Sequence, residues 1–195
     1  MKIDTKDMLK SILNSLSRIE HIKPEDIPNI DLYMDQVTTF MDTRLSSSKR
    51  HPEDKILTKT MINNYAKNKL LPPPVKKKYS KEHLLVMIFI YYFKGILSIT
   101  DIQALMNPIT EKYFQNDQKF SIETIYNEVF SLEKSQADKL AKDIVDKYNT
   151  SKHTFENVEK DQEFLQLFSF ICMLSFDVYV KKQMIEKLID QLPGE

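Results

Sequence analysis

Three consecutive prolines at positions 72–74 place the strongest constraint on how this chain can fold. A proline ring removes a backbone donor and pushes the preceding residue out of α geometry, so a helix running into Pro72 must end there. Residues 60–70 place Ile62, Tyr65 and Leu70 near helical spacing, with Thr58 or Thr60 as the N-cap, and predict such a helix. The chain therefore leaves a helix abruptly and must begin a new element after the prolines.

A short basic segment follows the prolines and leads into a hydrophobic helix. Residues 75–79 read Val-Lys-Lys-Lys-Tyr and predict an extended excursion whose three ammonium groups could lie along a phosphate backbone. Ser80 is the predicted N-cap of the next helix, whose apolar core spans residues 84–90. Another helix is predicted to begin at Ser98, with Asp101 placed as in a capping box. This order predicts an all-α protein with a winged helix-turn-helix.

Several stretches of this region resemble MerR-type regulators. Residues 64–73 resemble the end of their recognition helix, with Lys69 standing where that family has a glycine. Residues 79–84 are similar to the family's tyrosine and the start of its third helix, and residues 94–106 resemble its closing helix. The chain as a whole resembles more closely a bacterial family designated domain of unknown function 1836, a distant MerR-like relative. The resemblance implies a DNA-binding transcriptional regulator that acts as a homodimer on two-fold sites.

Charge is distributed unevenly, although the formal net charge is zero. From Arg44 to Glu82 there are eleven basic residues against three acidic ones, a local excess of eight positive charges. From Lys81 to the end there are thirteen basic residues against eighteen acidic ones. Lysines also decorate ordinary solvated helices, but here they coincide with the predicted helix and wing, which favours phosphate contact.

Glycine is scarce, since only Gly95 and Gly194 occur in the 195 residues. Such scarcity argues against Gly-rich phosphate loops and most all-β folds, and abundant Leu, Ile, Met and Lys favour helices. The single cysteine permits no internal disulfide, and no secretory or lipidation signal opens the chain. We therefore expect a cytoplasmic protein.

The pattern predicts three parts. Residues 1–30 hold an amphipathic helix from about Thr5 to His21, which Pro24 and Pro28 end. Residues 31–107 form the MerR-like winged helix-turn-helix domain, whose first helix is expected to begin at Asp31. Residues 108–195 form a helical dimerisation or effector region.

The third part is expected to contain two long helices. Asn107-Pro108 is predicted to break the chain, after which residues 121–148 form a helix and residues 149–157 a polar linker. The final helix is apolar around most of its circumference over residues 164–180 and must be buried on most sides. Its uninterrupted apolar run is shorter than the roughly 20 residues of a membrane span, so we expect a core or a subunit interface and no membrane.

An alternative for the final helix is a small-molecule effector pocket. Its aromatic side chains could line such a pocket, although aromatics at this spacing are more often plain core. The aromatics in question are Phe164, Phe168, Phe170 and Phe176.

Candidate catalytic groups are sparse. Four histidines, His21, His51, His83 and His153, lie in different segments without metal-ligand spacing, and each is expected at the surface or at its boundary. Cys172 falls in the apolar helix and is expected to be a small buried hydrophobe. We therefore expect no enzyme, no metal and no cofactor.

The predicted site is a double-stranded DNA interface. The amides of Asn63 and Asn64 can make paired hydrogen bonds to adenine edges in the major groove. Lysines would contact phosphates and set the register, while Tyr65 and Tyr79 either pack the wing or reach the backbone. The predicted DNA-binding residues are Lys59, Thr60, Asn63, Asn64, Lys67, Lys76, Lys77, Lys78 and Tyr79.

A helical protein–protein interaction module on the same scaffold is the competing hypothesis. The spacer over residues 45–56 is much longer than the three or four residues of a compact helix-turn-helix. The neutral total charge also favours this alternative. Exposed, unpaired lysines would favour DNA, and buried or charge-paired lysines would favour a protein partner.

Overall fold

A computed structural model describes residues 5–16, 22–115 and 120–192, and these residues are mostly helical, which confirms the predicted class. Two short 3-10 turns lie at Pro24–Asp26 and Ser46–Ser48. The longer elements are α1 (Thr5–Leu16), β1 (Leu32–Tyr33), α2 (Met34–Arg44), α3 (Lys59–Lys67), β2 (Lys78–Tyr79), α4 (Lys81–Phe93), α5 (Ile99–Tyr113), α6 (Ile122–Lys152) and α7 (Gln162–Ile189).

The chain divides into two compact units. The first comprises residues 1–20 and 131–185, and the second comprises residues 21–130 and 186–195. The second unit holds α2 to α5, the short sheet and the start of α6. The three-part division made from the sequence stays a prediction.

The core of the second unit is built around α4. Every residue from Leu84 to Ile90 is buried, so this helix has no solvent face, as its continuous apolar sequence predicts. The Phe89 ring contacts the rings of Tyr126 and Phe130, with centroids 5.4 and 5.6 Å away. The hydroxyl of the fully buried Tyr126 donates a hydrogen bond of 2.7 Å to the carbonyl of Ile22. This bond satisfies the phenol in an otherwise apolar interior.

Side-chain caps start three of these helices where the sequence predicts. Thr58 accepts a 3.2 Å hydrogen bond from the Met61 amide and is the N-cap of α3. Ser98 accepts from the Asp101 amide while Asp101 accepts from the Ser98 amide, which completes the predicted capping box of α5. Ser80 caps α4. These starts were readable because a cap is a local interaction.

Some boundaries in the second unit differ from the prediction. The first helix of the domain begins at Met34 rather than Asp31, because Leu32 and Tyr33 form a strand whose partners are Tyr79 and Lys78. The expected break at Asn107-Pro108 was wrong, since α5 continues to Tyr113 with Pro108 inside it.

The helix α5 continues past its proline. Pro108 has no N–H, so the carbonyl of Ala104, four residues earlier, lacks its helical donor. In the following turn, the hydroxyl of Thr110 donates to the carbonyls of Met106 and Asn107 at 3.0 and 3.1 Å. These are the local back-bonds of a helical threonine and do not replace the missing donor.

The first unit packs α1 and α6 against one face of α7. Its buried centre is Ile144, Tyr148 and Phe170, with partly buried leucines of α1 and α7 around it. Near this face, Lys147 forms ion pairs with Asp143 and Asp177, the second at 2.9 Å. The α6 helix runs to Lys152, beyond the Tyr148 end that we predicted. His21 and residues 17–20 of the predicted first helix lie outside the described residues.

The other face of α7 is exposed, which corrects the expectation that this helix is buried on most sides. Phe164, Phe168 and Phe176 are more than half exposed, so they do not enclose an effector pocket, whereas Phe170 is buried. Cys172 is exposed rather than buried. By length and composition alone, α7 is long and apolar enough to cross a membrane, and 11% of its most apolar window is buried.

Candidate nucleic-acid interface

The polar residues of α3 form one outward face. Ile62 and Tyr65 are buried and attach the helix to the core. Positions 60, 63, 64 and 67 follow helical spacing, and these residues are exposed. The exposed side chains are those of Thr60, Asn63, Asn64 and Lys67. The structure therefore presents the predicted amides and lysine together on the solvent side of one helix.

The end of α3 is a Schellman motif with a lysine in the glycine position. The amide of Leu70 donates to the Tyr65 carbonyl at 2.9 Å, and the amide of Lys69 donates to the Ala66 carbonyl at 3.1 Å. Lys69 has a φ of 57°, which is the left-handed conformation that glycine adopts most easily. Its side chain is exposed beside the interface face. Lys69 is a site candidate that the set predicted from the sequence omitted.

The basic tip is a tight hairpin. The amides and carbonyls of Val75 and Lys78 are mutually hydrogen-bonded at 3.1 and 2.9 Å, which leaves only Lys76 and Lys77 in the loop. Both residues have positive φ, 50° and 64°, as a type I′ turn requires. Such turns favour asparagine and glycine, so two lysines here hold a strained backbone. Both lysines are exposed at the tip.

The hairpin is fixed to the start of α2 through Tyr33. Lys78 pairs with Tyr33 in the antiparallel β1–β2 ladder. The Lys78 ammonium also lies 5.1 Å from the centroid of the Tyr33 ring, a cation–π contact. Tyr33 is in turn the N-cap residue of α2. These contacts determine where the base of the hairpin lies.

An ion pair places the start of α3 at the same end of α2. The Lys59 ammonium pairs with the carboxylate of Asp35, two residues after Tyr33, and both side chains are exposed. Lys59 of α3 therefore contacts Asp35 in the first turn of α2, and Lys78 of the hairpin contacts Tyr33, the N-cap of the same helix. The structure brings together the helix and the basic segment that the sequence predicted to contact DNA.

Tyr79 is the one predicted site residue that the structure removes from the surface. Its side chain is 3% exposed, and its ring makes an edge-to-face contact with His83 at a centroid distance of 5.5 Å. Burial also raises the pKa of its phenol. Strand alternation explains the difference, because Lys78 and Tyr79 are adjacent and must point to opposite sides. Tyr79 supports the hairpin from inside.

His83 connects the prolines to α4. Its Nδ1 accepts a 3.0 Å hydrogen bond from the Ser80 amide, completing the capping box, and its Nε2 lies 3.4 Å from the Pro73 carbonyl oxygen. The residue is 1% exposed, which corrects the expected surface position. Burial lowers the pKa of the imidazole. The neutral ring with a proton on Nε2 satisfies both partners.

The long spacer between α2 and α3 is folded onto the unit. Leu45 and Ile56 of the spacer are buried, as is Leu57, which follows it. Lys49 pairs with Asp42 at 2.8 Å, and the Lys94 ammonium donates a 2.7 Å hydrogen bond to the Ile56 carbonyl. The spacer therefore holds the start of α3 despite its length.

Four exposed lysines at the site are not neutralised. Within the ranges that the structure describes, no carboxylate is within ion-pair distance of them, in contrast to Lys59. The four are Lys67, Lys69, Lys76 and Lys77. These lysines can therefore bind an anion without first breaking an ion pair within the protein.

No metal-ligand cluster occurs among the described residues, meaning no group of three or more His, Cys, Asp or Glu side chains that could hold an ion. His51 and His153 are exposed in different segments, and His21 lies outside the described residues. An open groove of about 700 Å³ lies at the C-terminal end of α3, between Lys69, Pro72 and Phe114. The exposed groups of α3 and the hairpin are amides, a hydroxyl and ammonium cations, which suit a polyanion.

One protein family matches this part of the chain. The model of the family described as domain of unknown function (DUF1836) matches residues 22–129, which include the second unit's α2 to α5 and the hairpin. Neither a curated protein nor a solved structure matches the chain.

Proposed function

We propose that this chain, which belongs to the family of domain of unknown function DUF1836, is a DNA-binding regulator of transcription. The observation that carries the proposal is the joint position of α3 and the lysine hairpin at the N-terminal end of α2. A helix with an outward polar face beside a basic β tip is the arrangement of a winged helix-turn-helix. The MerR-like assignment of this arrangement is part of the proposal.

The helix α3 enters the major groove in this mechanism. Its outward amides, Asn63 and Asn64, are placed on the exposed side, where each can donate to and accept from an adenine edge. The neighbouring Thr60 hydroxyl and Lys67 ammonium reach the groove wall or a phosphate. Buried Ile62 and Tyr65 hold the helix rigid, so base contacts cost little ordering entropy.

The hairpin contacts the phosphate backbone. Lys76 and Lys77 occupy the two loop positions, where their ammonium groups project without a carboxylate partner in the described structure. The two-residue turn restricts the tip to a narrow set of positions. Phosphate contacts of this kind set the register and add affinity that is independent of sequence.

The interface so proposed differs in two members from the set read from the sequence. Tyr79 is excluded because it is buried, and Lys69 is added because it is exposed at the end of α3. Lys59 contributes only after its ion pair with Asp35 opens or is shared with a phosphate. Exposed ion pairs are weak, about 0–1 kcal/mol, so this exchange costs little.

The test is retention of genomic DNA fragments by the purified full chain at low and physiological salt. The proposal predicts that a few fragments are retained selectively and that a Lys76→Ala, Lys77→Ala double variant loses them. The matched control is Lys139→Ala with Lys142→Ala, two exposed lysines of α6 outside this site. Equal loss in both double variants would mean that only total charge matters and would contradict the site.

A protein-binding module is the second candidate function. The neutral net charge and the carboxylate of Asp35 inside the basic region favour it. In that case the exposed α3 face recognises an acidic protein surface. No DNA retention even at low salt, with a folded protein, would favour this candidate over DNA.

A further inference from the structure

The outer face of α7 is apolar over four turns. Six of its large side chains are 51–66% exposed, and no charged residue interrupts them on this face. At 1.5 Å rise per residue the face is roughly 22 Å long. The six side chains are Phe164, Phe168, Ile171, Phe176, Val178 and Tyr179. Patches of this kind mark interaction sites.

The spacing of this face is that of a helix–helix seam. Positions 164, 168, 171, 175 and 178 alternate steps of four and three, the repeat that keeps one stripe facing a partner helix. Ser175 is the polar member of the stripe, and Cys172 is exposed beside its centre. A straight helical partner with the same repeat fits this seam.

The opposite face of α7 is already occupied within the first unit. Phe170 packs edge-to-face on Tyr148 with centroids 5.6 Å apart, and Gln166 donates to the Lys152 carbonyl at 2.8 Å. Asp177 pairs with Lys147 at 2.9 Å on this side. A helix that crosses a bilayer alone exposes all its sides to lipid, so one covered and charge-paired face favours a protein partner.

The area of the face matches a standard interface. Large side chains of about 150–250 Å² that are half exposed present on the order of 600 Å² in total. A standard complex buries roughly 800 Å² on each partner, including its rim. An interface in which both partners present the same face is isologous, which is the commonest arrangement of homodimers.

Charges at the two ends favour an antiparallel pair. Residues 159–163 at the start carry three carboxylates and one ammonium, whereas Lys181 and Lys182 follow the end of the face. An antiparallel pair places the acidic end of each copy beside the basic end of the other, and it also opposes the helix dipoles. A parallel pair would place like charges together.

We infer that α7 of one copy packs antiparallel on α7 of a second copy, with Ile171 and Cys172 at the two-fold axis. This homodimer is independent of the proposed DNA-binding site, because α7 residues 162–185 belong to the first unit. A dimer would also present two copies of α3 to a two-fold DNA site. Its tests need no DNA, so its failure and that of the proposed function are separable.

The single cysteine gives a direct first test. Because the chain has one cysteine, any sulfhydryl cross-link between copies must join Cys172 to Cys172. Treatment of the dilute full chain with a short bis-maleimide should convert most of it to a covalent dimer, and the native mass should be that of two copies. A monomeric native mass with no cross-link would overturn the inference.

Orientation is tested by moving the cysteine. In a Cys172→Ser background, Phe164→Cys and Tyr179→Cys place one thiol near each end of the face, at equal distance from its centre. Mixed copies should cross-link to each other, and each variant alone should not. Cross-linking of each variant alone, without the mixed product, would establish a parallel pair and overturn the antiparallel arrangement.

A charge inserted in the seam tests the surface itself. Phe168→Glu should give a monomer with unchanged helical circular dichroism, whereas Leu140→Glu, at an exposed apolar position of α6, should stay dimeric. Persistence of the dimer in Phe168→Glu would overturn the proposed face. So would binding of the wild type to phosphatidylcholine vesicles that Phe168→Glu abolishes, if the wild type is monomeric in their absence.

Discussion

The Nε2 atom of His83 lies 3.4 Å from the carbonyl oxygen of Pro73, ten residues earlier in the chain. On the other side of the ring, Nδ1 accepts the Ser80 amide. The buried imidazole therefore connects Pro73 to Ser80 at the start of α4. Because the hairpin lies between these two residues, His83 holds both of its ends against the core.

The first prediction concerns pH. Burial lowers the pKa of His83 in the folded state below its ordinary value of about 6.5. The unfolded chain then binds more protons, so this group stabilises the fold above pH about 6.5 and its contribution falls as the pH decreases below that value. A single titrating group changes the free energy of unfolding by at most about 1.4 kcal/mol per pH unit. Chemical denaturation between pH 7.5 and 5.5 should show this slope.

The matched variants for this prediction are His83→Gln and His51→Gln. Glutamine at the third helical position can still accept the Ser80 amide, but it does not titrate. His83→Gln should therefore flatten the pH dependence, whereas His51→Gln, at an exposed position, should keep it. An unchanged slope in His83→Gln would show that another group is responsible.

The second prediction concerns Lys69. Its φ of 57° strains a residue with a Cβ, so Lys69→Gly should stabilise the protein by about 0.5–1 kcal/mol. Lys67→Gly, inside the last turn of α3, should destabilise it by about 1 kcal/mol because glycine lowers helix propensity. Thermal unfolding of the two variants measures both effects. Destabilisation by Lys69→Gly would argue against the Schellman geometry.

The third prediction separates base reading from phosphate contact. Asn64→Ala should cost about 1–3 kcal/mol on the preferred fragment and little on other sequences. The Lys76→Ala, Lys77→Ala variant should weaken binding to all sequences alike and reduce the salt slope by about 2. Fluorescence anisotropy at several salt concentrations distinguishes the two. A salt-independent affinity of the wild type would contradict phosphate contact altogether.

The fourth prediction concerns the spacer. The Lys94 ammonium donates to the Ile56 carbonyl at 2.7 Å, and burial lowers the pKa of this lysine. Lys94→Met removes the donor and should cost about 1–3 kcal/mol. It should also accelerate tryptic cleavage after Arg50 in the native protein. Lys55→Met, at an exposed spacer position, should do neither.

Local chemistry made much of the helical framework predictable. Thr58, Ser80 and Ser98 start helices because each side chain caps amides a few residues away, and the prolines at 72–74 separate α3 from the hairpin. The outward position of Asn63 and Asn64 followed from helical periodicity. These features depend on neighbours within one or two turns, which the sequence lists directly.

Tertiary structure decided the features that depend on distant partners. Tyr79 and His83 are buried because other elements cover them, and Lys59 is paired because α2 supplies Asp35. The residues that cover Tyr79 and His83, and the carboxylate that pairs with Lys59, lie in other parts of the chain and cannot be identified from the local sequence.

The sequence by itself determined that α7 is apolar around its circumference and that the lysines concentrate near α3. Only the structure showed that α1 and α6 cover one face of α7 and leave Phe168 and Cys172 exposed. The physical reason is that hydrophobicity states how much surface should leave water, whereas packing geometry decides which contacts within the chain can remove it.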